Sequence, residues 1–366
     1  MKNKIIILGG GLWGGLLAYF FHLRRPEFVV ELYEKADSLG GEHTWSFHSS
    51  DVPAELWPMI KPLVSYSWAD QEVIFPKIQR KLSLGYHTIL SADFDKKIRD
   101  ILPSSQILLR QERSPSDFED DCIVFDTRNI KFEVPGAWQN FVGLDVELSQ
   151  PHGLSRPIIM DASVEQLSGF RFIYYLPWSP TRLLVEDTRY MDVRDIPVGD
   201  WKRGVEELIH KKGWSISSIK RVEVGSLPIP FCSPRKIERN TLSLSGIFHD
   251  VTGYSTADAF RVCSALTSVK EVSYFEYQQT LDRYLEKQEK RRKFYRLLNR
   301  LMFKASDSKD RYKMLQHFYH LPQGLIERFY SGESSLWDRV RLFLGKPPVS
   351  VFRALKVILG FNEERL

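Results

Sequence analysis

An α/β fold with a largely parallel first sheet, a second region of antiparallel strands and a helical C-terminal region is predicted by three observations on this 366-residue sequence. A β-branched run, Ile5 to Leu8, leads directly into Gly9, Gly11 and Gly14 at G-x-G-x-x-G spacing. Alternating and continuous apolar runs dominate from Phe141 to Val185, the pattern of half-buried and buried strands. Beyond Glu276 apolar residues recur at helical spacing almost to the end.

The first element is a short buried strand over Ile5–Leu8, and the glycines then open a helix whose apolar positions include Leu16, Leu17, Phe20 and Phe21. In that arrangement the first glycine permits the tight turn, the second lets a pyrophosphate approach the backbone, and the third lets the helix pack closely on the strand. A second strand, Val29 to Tyr33, ends at Glu34, about 20 residues past the last glycine, where a carboxylate accepts both hydroxyls of an adenosine ribose. Strand, glycines, helix, strand and acid together make a Rossmann-type dinucleotide-binding unit. Lys2 and Lys4 precede an apolar stretch, as in a secretory leader, but glycines and Trp13 interrupt it and no small-residue cleavage site follows.

Val73–Phe75 and Lys81–Leu84 read as short strands joined by a turn near Pro76, and Ile123–Phe125, ending at Asp126 and Arg128, as a third strand of the nucleotide sheet. Pro157–Met160, Arg171–Leu176 and Arg182–Val185 are the antiparallel strands of a second domain; Trp201–Lys211 is a helix with Val205, Leu208 and Ile209 on one face. Leu242–Ile247 returns as a buried strand, followed by the turn Phe248–Ser255 and a helix from about Thr256, a second place for polar cofactor atoms. The implied division is a discontinuous nucleotide-binding domain over 1–50, 85–140 and 235–275, a substrate domain over 51–84 and 141–234, and a helical region over 276–366.

A chain 43% hydrophobic with a formal charge of +5 belongs among globular proteins. No uninterrupted apolar run reaches the ~18 to 20 residues of a spanning helix. Three scattered cysteines, Cys122, Cys232 and Cys263, support neither a disulfide framework nor a zinc site and point to a reducing cytoplasm. From Arg283 to Lys313 cations alternate with residues such as Phe294, Leu298 and Met302 in the manner of a basic amphipathic helix. Such a helix lies on an anionic lipid surface, binds nucleic acid, or is a solvated face; nucleic acid has the least support, since no recognition module accompanies the charge.

The segment Gly40-Gly41-Glu42-His43-Thr44-Trp45-Ser46-Phe47-His48 goes further. With Phe141-Val142-Gly143, Pro151-His152-Gly153-Leu154, Met160-Asp161-Ala162, Pro180 to Thr188, Thr252-Gly253-Tyr254-Ser255, Leu325 to Tyr330 and Gly345-Lys346-Pro347-Pro348, it closely resembles the bacterial flavin-dependent lycopene β-cyclases over nearly the whole chain. The resemblance implies a fold of the flavoprotein hydroxylase type. It implies FAD, active when reduced and with NADPH as reductant, held by Gly9, Gly11, Gly14, Glu34, Gly41, Thr252 and Gly253. It also implies closure of β-ionone rings on lycopene and related acyclic carotenoids without net redox change, and thereby makes a lipid surface the better reading of Arg283–Lys313, with the protein cytoplasmic and peripheral to the inner membrane. The family usually has Asn at Glu42 and Pro at Asp250, so both departures put acids near the flavin.

Lycopene offers no hydrogen-bonding group, so ring closure requires an acid, a surround that tolerates a carbocation, and a base. On residues alone Glu186-Asp187 reads as an exposed acidic turn capping with Thr188; the family motif makes Glu186 the acid, its pKa raised at the end of the apolar strand Leu183–Val185. His249 assists proton traffic, orients the flavin or serves as a structural hydrogen bonder; His43 and His48 share these alternatives, with flavin-loop support ahead of catalysis; and Trp45, Phe47, Tyr174, Tyr175 and Trp178 line a tunnel offering cation–π contacts or belong to the core. The rival readings are a flavin hydroxylase or polyprenyl reductase and a carotenoid carrier. Ser245-Gly246-Ile247-Phe248-His249 lacks the Gly-Asp signature common in the hydroxylases.

Overall fold

Fifteen strands and ten α-helices occur among the described residues (4–119, 122–128, 135–167, 169–233, 242–344 and 350–359) of the computed structural model. The strands are β1 (Lys4–Leu8), β2 (Val29–Glu34), β3 (Thr44–His48), β4 (Tyr66–Trp68), β5 (Gln71–Phe75), β6 (Ile78–Leu82), β7 (Tyr86–Leu90), β8 (Ile107–Leu109), β9 (Ile123–Asp126), β10 (Gly136–Leu148), β11 (Ile158–Asp161), β12 (Phe170–Pro177), β13 (Arg182–Met191), β14 (Ile216–Pro230) and β15 (Leu242–Ser243). The helices are α1 (Leu12–Arg24), α2 (Trp57–Ile60), α3 (Ser91–Ile101), α4 (Val198–Lys211), α5 (Thr256–Thr267), α6 (Tyr274–Lys304), α7 (Tyr312–Phe318), α8 (Gln323–Tyr330), α9 (Leu336–Phe343) and α10 (Val351–Ile358). The motif Gly345-Lys346-Pro347-Pro348 lies outside the described residues.

The isoleucines of β1 are fully buried because β1 is the middle of a parallel sheet of order β15-β9-β1-β2-β8. Its strands are covered by helices, which is why they read as continuous apolar runs. Leu16, Leu17, Phe20 and Phe21 of α1 join Phe125 of β9, Phe260 of α5 and Tyr277 of α6 in one core. The strand expected over Leu242–Ile247 is shorter: Leu242 and Ser243 pair with β9, Leu244 N–H still reaches Asp126 O at 3.0 Å, and the chain then turns at Gly246 (φ +75°).

A seven-stranded sheet of order β14-β10-β13-β12-β11-β5-β6 carries the rest, and β3-β7-β4 form a small third sheet. The expectation of purely antiparallel strands fails at one place. β11 pairs in parallel with β5, which arrives from far earlier in the chain, while β5 and β6 close the edge as the expected hairpin. Strand alternation gives the large sheet two different faces. Leu144, Val146, Tyr175, Leu183 and Val185 pack under Val205 and Ile209 of α4. Phe170, Phe172, Leu176 and Leu184 point the other way, into a core shared with Phe294, Tyr295 and Phe303 of α6 and with α8.

On the α4 face Asp187 receives the Arg171 and Arg189 guanidiniums at 2.9 and 2.7 Å, and Arg189 lies 3.9 Å over the Trp201 ring. Removing one partner of such a buried set strands a charge at about 3–5 kcal/mol. Asp187 is therefore structural.

The basic stretch Arg283–Lys313 is not one solvated face. Arg292 donates to Phe248 O at 2.5 Å and lies 3.5 Å from Asp250, Arg296 bridges Glu289 and Asp250, Arg300 donates to Phe231 O, and Arg311 is buried against Asp192. Planar guanidinium forks satisfy several buried acceptors at once, whereas ammonium groups stay hydrated. Lys287, Lys290 and Lys293 accordingly remain exposed while the arginines brace α6 against the sheet. Among the described residues no helix is long and apolar enough to cross a membrane.

Candidate active site

Gly9 holds φ +98°, and a Cβ at Gly14 would lie 1.8 Å from Gly9 O, so α1 approaches the β1 turn more closely than any side chain allows. At Gly11 a Cβ would meet nothing within 4 Å: that glycine borders open space. The space is a cleft of about 610 Å³ lined by Gly9, Gly11, Glu34 and Gly41 on one side and Gly246 and Gly253 on the other, with Arg113 and Arg128 at its rim. Glu34 accepts Gly10 N–H at 2.6 Å and Ala36 N–H at 2.8 Å, which fixes its carboxylate at the end of β2. No side chain caps the N-terminus of α1, and its first turn carries no acid. The donors there, the two arginines and the anchored carboxylate fit a dinucleotide's pyrophosphate and ribose. Of the expected cofactor residues, Gly14 and Thr252 do not line the cleft, Gly14 lying behind Gly9 in the turn. Thr252 lines an adjoining hollow of about 50 Å³ together with His48, Asp51 and His249.

The cleft shares His43, Trp45, Ser226, Leu227, Gly253 and Ser255 with a second cavity of about 290 Å³. Its floor is one cross-strand row of the large sheet. Gly143 of β10 pairs with Glu223 of β14 on one side and Glu186 of β13 on the other, and Glu186 pairs in turn with Tyr174 of β12. Glu186 is thus not at a strand end, nor in an exposed turn. It is mid-strand on the cavity face, with Asp187 on the opposite face.

Glu186 is buried and accepts a hydrogen bond from Thr188 Oγ1 at 2.7 Å. Burial, and after it the charge of Glu223, pushes its pKa up to about 8. Glu223 is buried too, which by itself favours its neutral form. The His43 imidazole at 3.8 Å, Arg221 at 3.2 Å, and the Thr44 N–H and hydroxyl at 2.8 and 2.7 Å outweigh that and hold it below the ordinary carboxylate range. One carboxyl therefore keeps its proton at neutral pH beside another that has lost it. Above them Tyr254 and Tyr174 share a hydroxyl hydrogen bond of 2.9 Å, and burial raises both phenols.

His249 does not reach this cavity. Its Nδ1 accepts Val251 N–H at 3.3 Å, its Nε2 lies 3.0 Å from Phe329 O, and burial lowers its pKa to about 4. A neutral ring with both nitrogens engaged ties the turn before α5 to α8, so the geometry does not support the proton traffic expected of it. His43 is at the junction of cleft and cavity, whereas His48 is buried against Asp51. Of the expected tunnel aromatics, Trp45 and Tyr174 line the cavity; Phe47 packs on Phe260, Tyr175 points to the α4 face, and Trp178 stacks on Tyr66. Glu42 is exposed, and Asp250 turns toward Arg292 and Arg296, so neither acid lines the cleft.

Thr44, Gly143 and Tyr254 stand inside motifs of the sequence, but nothing local assigned them this role. Arg221 and Glu223 stand in none; alternation along β14 was their only signal.

A dinucleotide cleft on a parallel sheet, opening onto a pocket floored by a separate largely antiparallel sheet, defines a protein with the fold of the flavoprotein hydroxylases and halogenases. The chain is similar to a flavin-dependent halogenase from Xanthomonas campestris (TM-score 0.57, 8% identity, 99% of this chain and 94% of that one). It is also similar to a geranylgeranyl bacteriochlorophyll reductase-like protein from Thermoplasma acidophilum (TM-score 0.56, 11% identity, 99% and 97%). Within that class, residues 4–356 match the family described as lycopene cyclase protein, and the chain belongs to it. It is 34% identical to the lycopene beta-cyclase of Pseudescherichia vulneris over 99% of both chains.

Proposed function

We propose that the chain is a lycopene β-cyclase that closes β-ionone rings on the open ends of lycopene by adding and removing a proton, with FAD in the cleft, reduced by NADPH. The observation that carries this reading is the buried Glu186, its pKa raised by burial, on the floor of a cavity continuous with the dinucleotide cleft. Gly9, Gly11 and the first turn of α1 would hold the pyrophosphate, with Gly14 behind them, Glu34 would hold the ribose hydroxyls, and Gly41 and Gly253 border the path to the cavity. Bound in this cleft, reduced flavin would supply negative charge that stabilises a developing cation.

Glu186 protonates the terminal alkene, the chain closes on the tertiary cation, and the resulting carboxylate takes back a ring proton; no electron is gained or lost. Trp45, Phe141 and Tyr174 line the cavity, where aromatic ring faces stabilise a cation and their apolar bulk excludes water. The parallel sheet with its helices then serves as cofactor domain, the large sheet as substrate domain, and His249 and Thr252 shape the turn between them. Incubating the protein with FAD, NADPH and lycopene in liposomes and resolving the pigments by chromatography is expected to yield γ-carotene and then β-carotene. Oxygenated or saturated product, or unchanged lycopene, overturns the reading in favour of an oxidoreductase or a carrier.

A substrate that lives in the bilayer implies peripheral docking on the cytoplasmic side of the membrane. The surface that supports this is α9 and α10 rather than α6. Trp337 is 82% and Phe352 66% exposed, beside exposed Leu336, Phe343, Leu355 and Leu359. The exposed charges among the described residues of these two helices are cationic, Arg341, Arg353 and Lys356, which matches an anionic lipid headgroup layer. Both helices rest on α6, through the Phe294–Phe343 contact and through Val357 on Leu301. The double variant Trp337→Glu/Phe352→Glu is expected to lose sedimentation with phosphatidylglycerol vesicles while Lys287→Gln/Lys290→Gln/Lys293→Gln keeps most of it. The reverse ranking would return the docking face to α6; wild type left in the supernatant at low salt would end the membrane reading.

A further inference from the structure

We infer that Glu223 is a positioning residue of the reaction: its fixed negative charge, brought beside Glu186 across the side-chain-free Gly143, keeps the proton on Glu186 until substrate takes it. The inference rests on Glu186 being the proton donor and extends it to a residue that stands in no motif of the sequence.

Three geometric facts carry it. Glu186 and Glu223 flank Gly143 in register on neighbouring strands, so their Cα atoms lie about 10 Å apart across two strand spacings. Side chains of glutamate length meet over that gap only if nothing rises between them. A Cβ at Gly143 would come 3.4 Å from both Cβ and Cγ of Glu186 and 3.2 Å from Leu184 Cδ1, so Glu186 already leans across the glycine. Both carboxyls line the same cavity.

The two are held differently. Glu223 is clamped by Thr44, through its N–H and its hydroxyl, and by Arg221, whereas Glu186 accepts a hydrogen bond from Thr188 Oγ1. Glu223 is therefore the carboxylate that stays charged, and Glu186 the one that must stay neutral. Thr44 opens β3 directly after Gly40, Gly41 and His43, which line the cofactor cleft, so the position of that loop bears on the position of the charge.

The groups facing Glu186 are Glu223 and Arg221 from β14, Tyr174 from β12, Tyr86 from β7, Tyr254 from the turn before α5 and Thr188 on its own strand; Asp187 lies behind it, neutralised by Arg171 and Arg189. The tyrosines are neutral over the physiological range, so Glu223 is the charge whose loss moves Glu186 most. Once the proton is delivered, two carboxylates face the cation where one would otherwise stand.

The test is the pH dependence of cyclisation in flavin-loaded Glu223→Gln, with the infrared carbonyl band of a protonated carboxyl followed in parallel on the protein without substrate. The band is assigned by its absence in Glu186→Gln. In Glu223→Gln the alkaline limb of activity and the midpoint of the band are expected to fall together by about one pH unit or more, while Glu223→Asp, which keeps the charge, stays near wild type. Gly143→Ala, which wedges a methyl between the carboxyls, moves both the same way by less and keeps the test open if Glu223→Gln does not fold. Limb and band unmoved in the folded variants overturn the inference. If Glu186→Gln itself retains activity, the proton-donor reading has failed instead.

Discussion

Glu186→Gln is expected to abolish ring formation and at the same time to stabilise the folded protein above pH 5. The loss follows from removing the carboxyl proton that the proposed mechanism delivers to the alkene; positioned general acids contribute about 10²- to 10⁴-fold, and the amide cannot substitute. The gain follows from linkage. The carboxyl has a pKa of about 8 when folded against an ordinary 4.5, so between those values the native state holds a proton that the unfolded chain has released. Unfolding free energy then falls with rising pH, by about 1.4 kcal/mol per unit, or roughly 3 kcal/mol by pH 7. Below pH 4.5 both states are protonated and the penalty vanishes. Melting temperatures of variant and wild type, compared at pH 4, 6 and 8, should therefore diverge progressively. Parallel curves would mean that Glu186 titrates as an ordinary surface carboxyl, and the assignment of the acid would go with it.

The second large effect separates two glycines of the same motif. Gly14→Val is expected to cost several kcal/mol and to yield protein that retains no FAD, because its Cβ would overlap Gly9 O at 1.8 Å and neither β1 nor α1 has room to retreat from a fully buried core. Gly11→Ala meets no atom within 4 Å and should fold with a near-normal melting curve, yet bind FAD more than about tenfold more weakly, since its methyl occupies the space a pyrophosphate needs. Flavin absorbance after purification and a fluorescence titration of the apoprotein measure both. Equal behaviour of the two variants, in either direction, would show that motif spacing rather than local geometry had been read.

The β1–α1–β2 unit was legible because every constraint on it is local: the glycines, the apolar helix face and Glu34 lie within one short stretch and interact with each other. Glu186 was legible only through its motif, for the apolar run before it looked like a strand ending in an acidic turn. β13 continues to Met191 because Thr188, Tyr190 and Met191 pair with β10 and β12, partners that lie far away in sequence. The arginines of α6 misled for a related reason. Their spacing describes a basic face, but Asp250, Glu289 and Phe248 O, which absorb them, are contributed largely by other elements.

By itself the sequence determined a nucleotide-binding fold and the family, and its motif singled out Glu186 as the proposed acid, since these depend on residue type and short spacing. The tertiary structure alone decided which carboxyls are buried side by side, that His249 is tied to α8, and which helices carry the apolar face. Those properties depend on strand register and burial, and a shift of one residue in β14 would turn Glu223 out of the cavity without altering a letter of the chain.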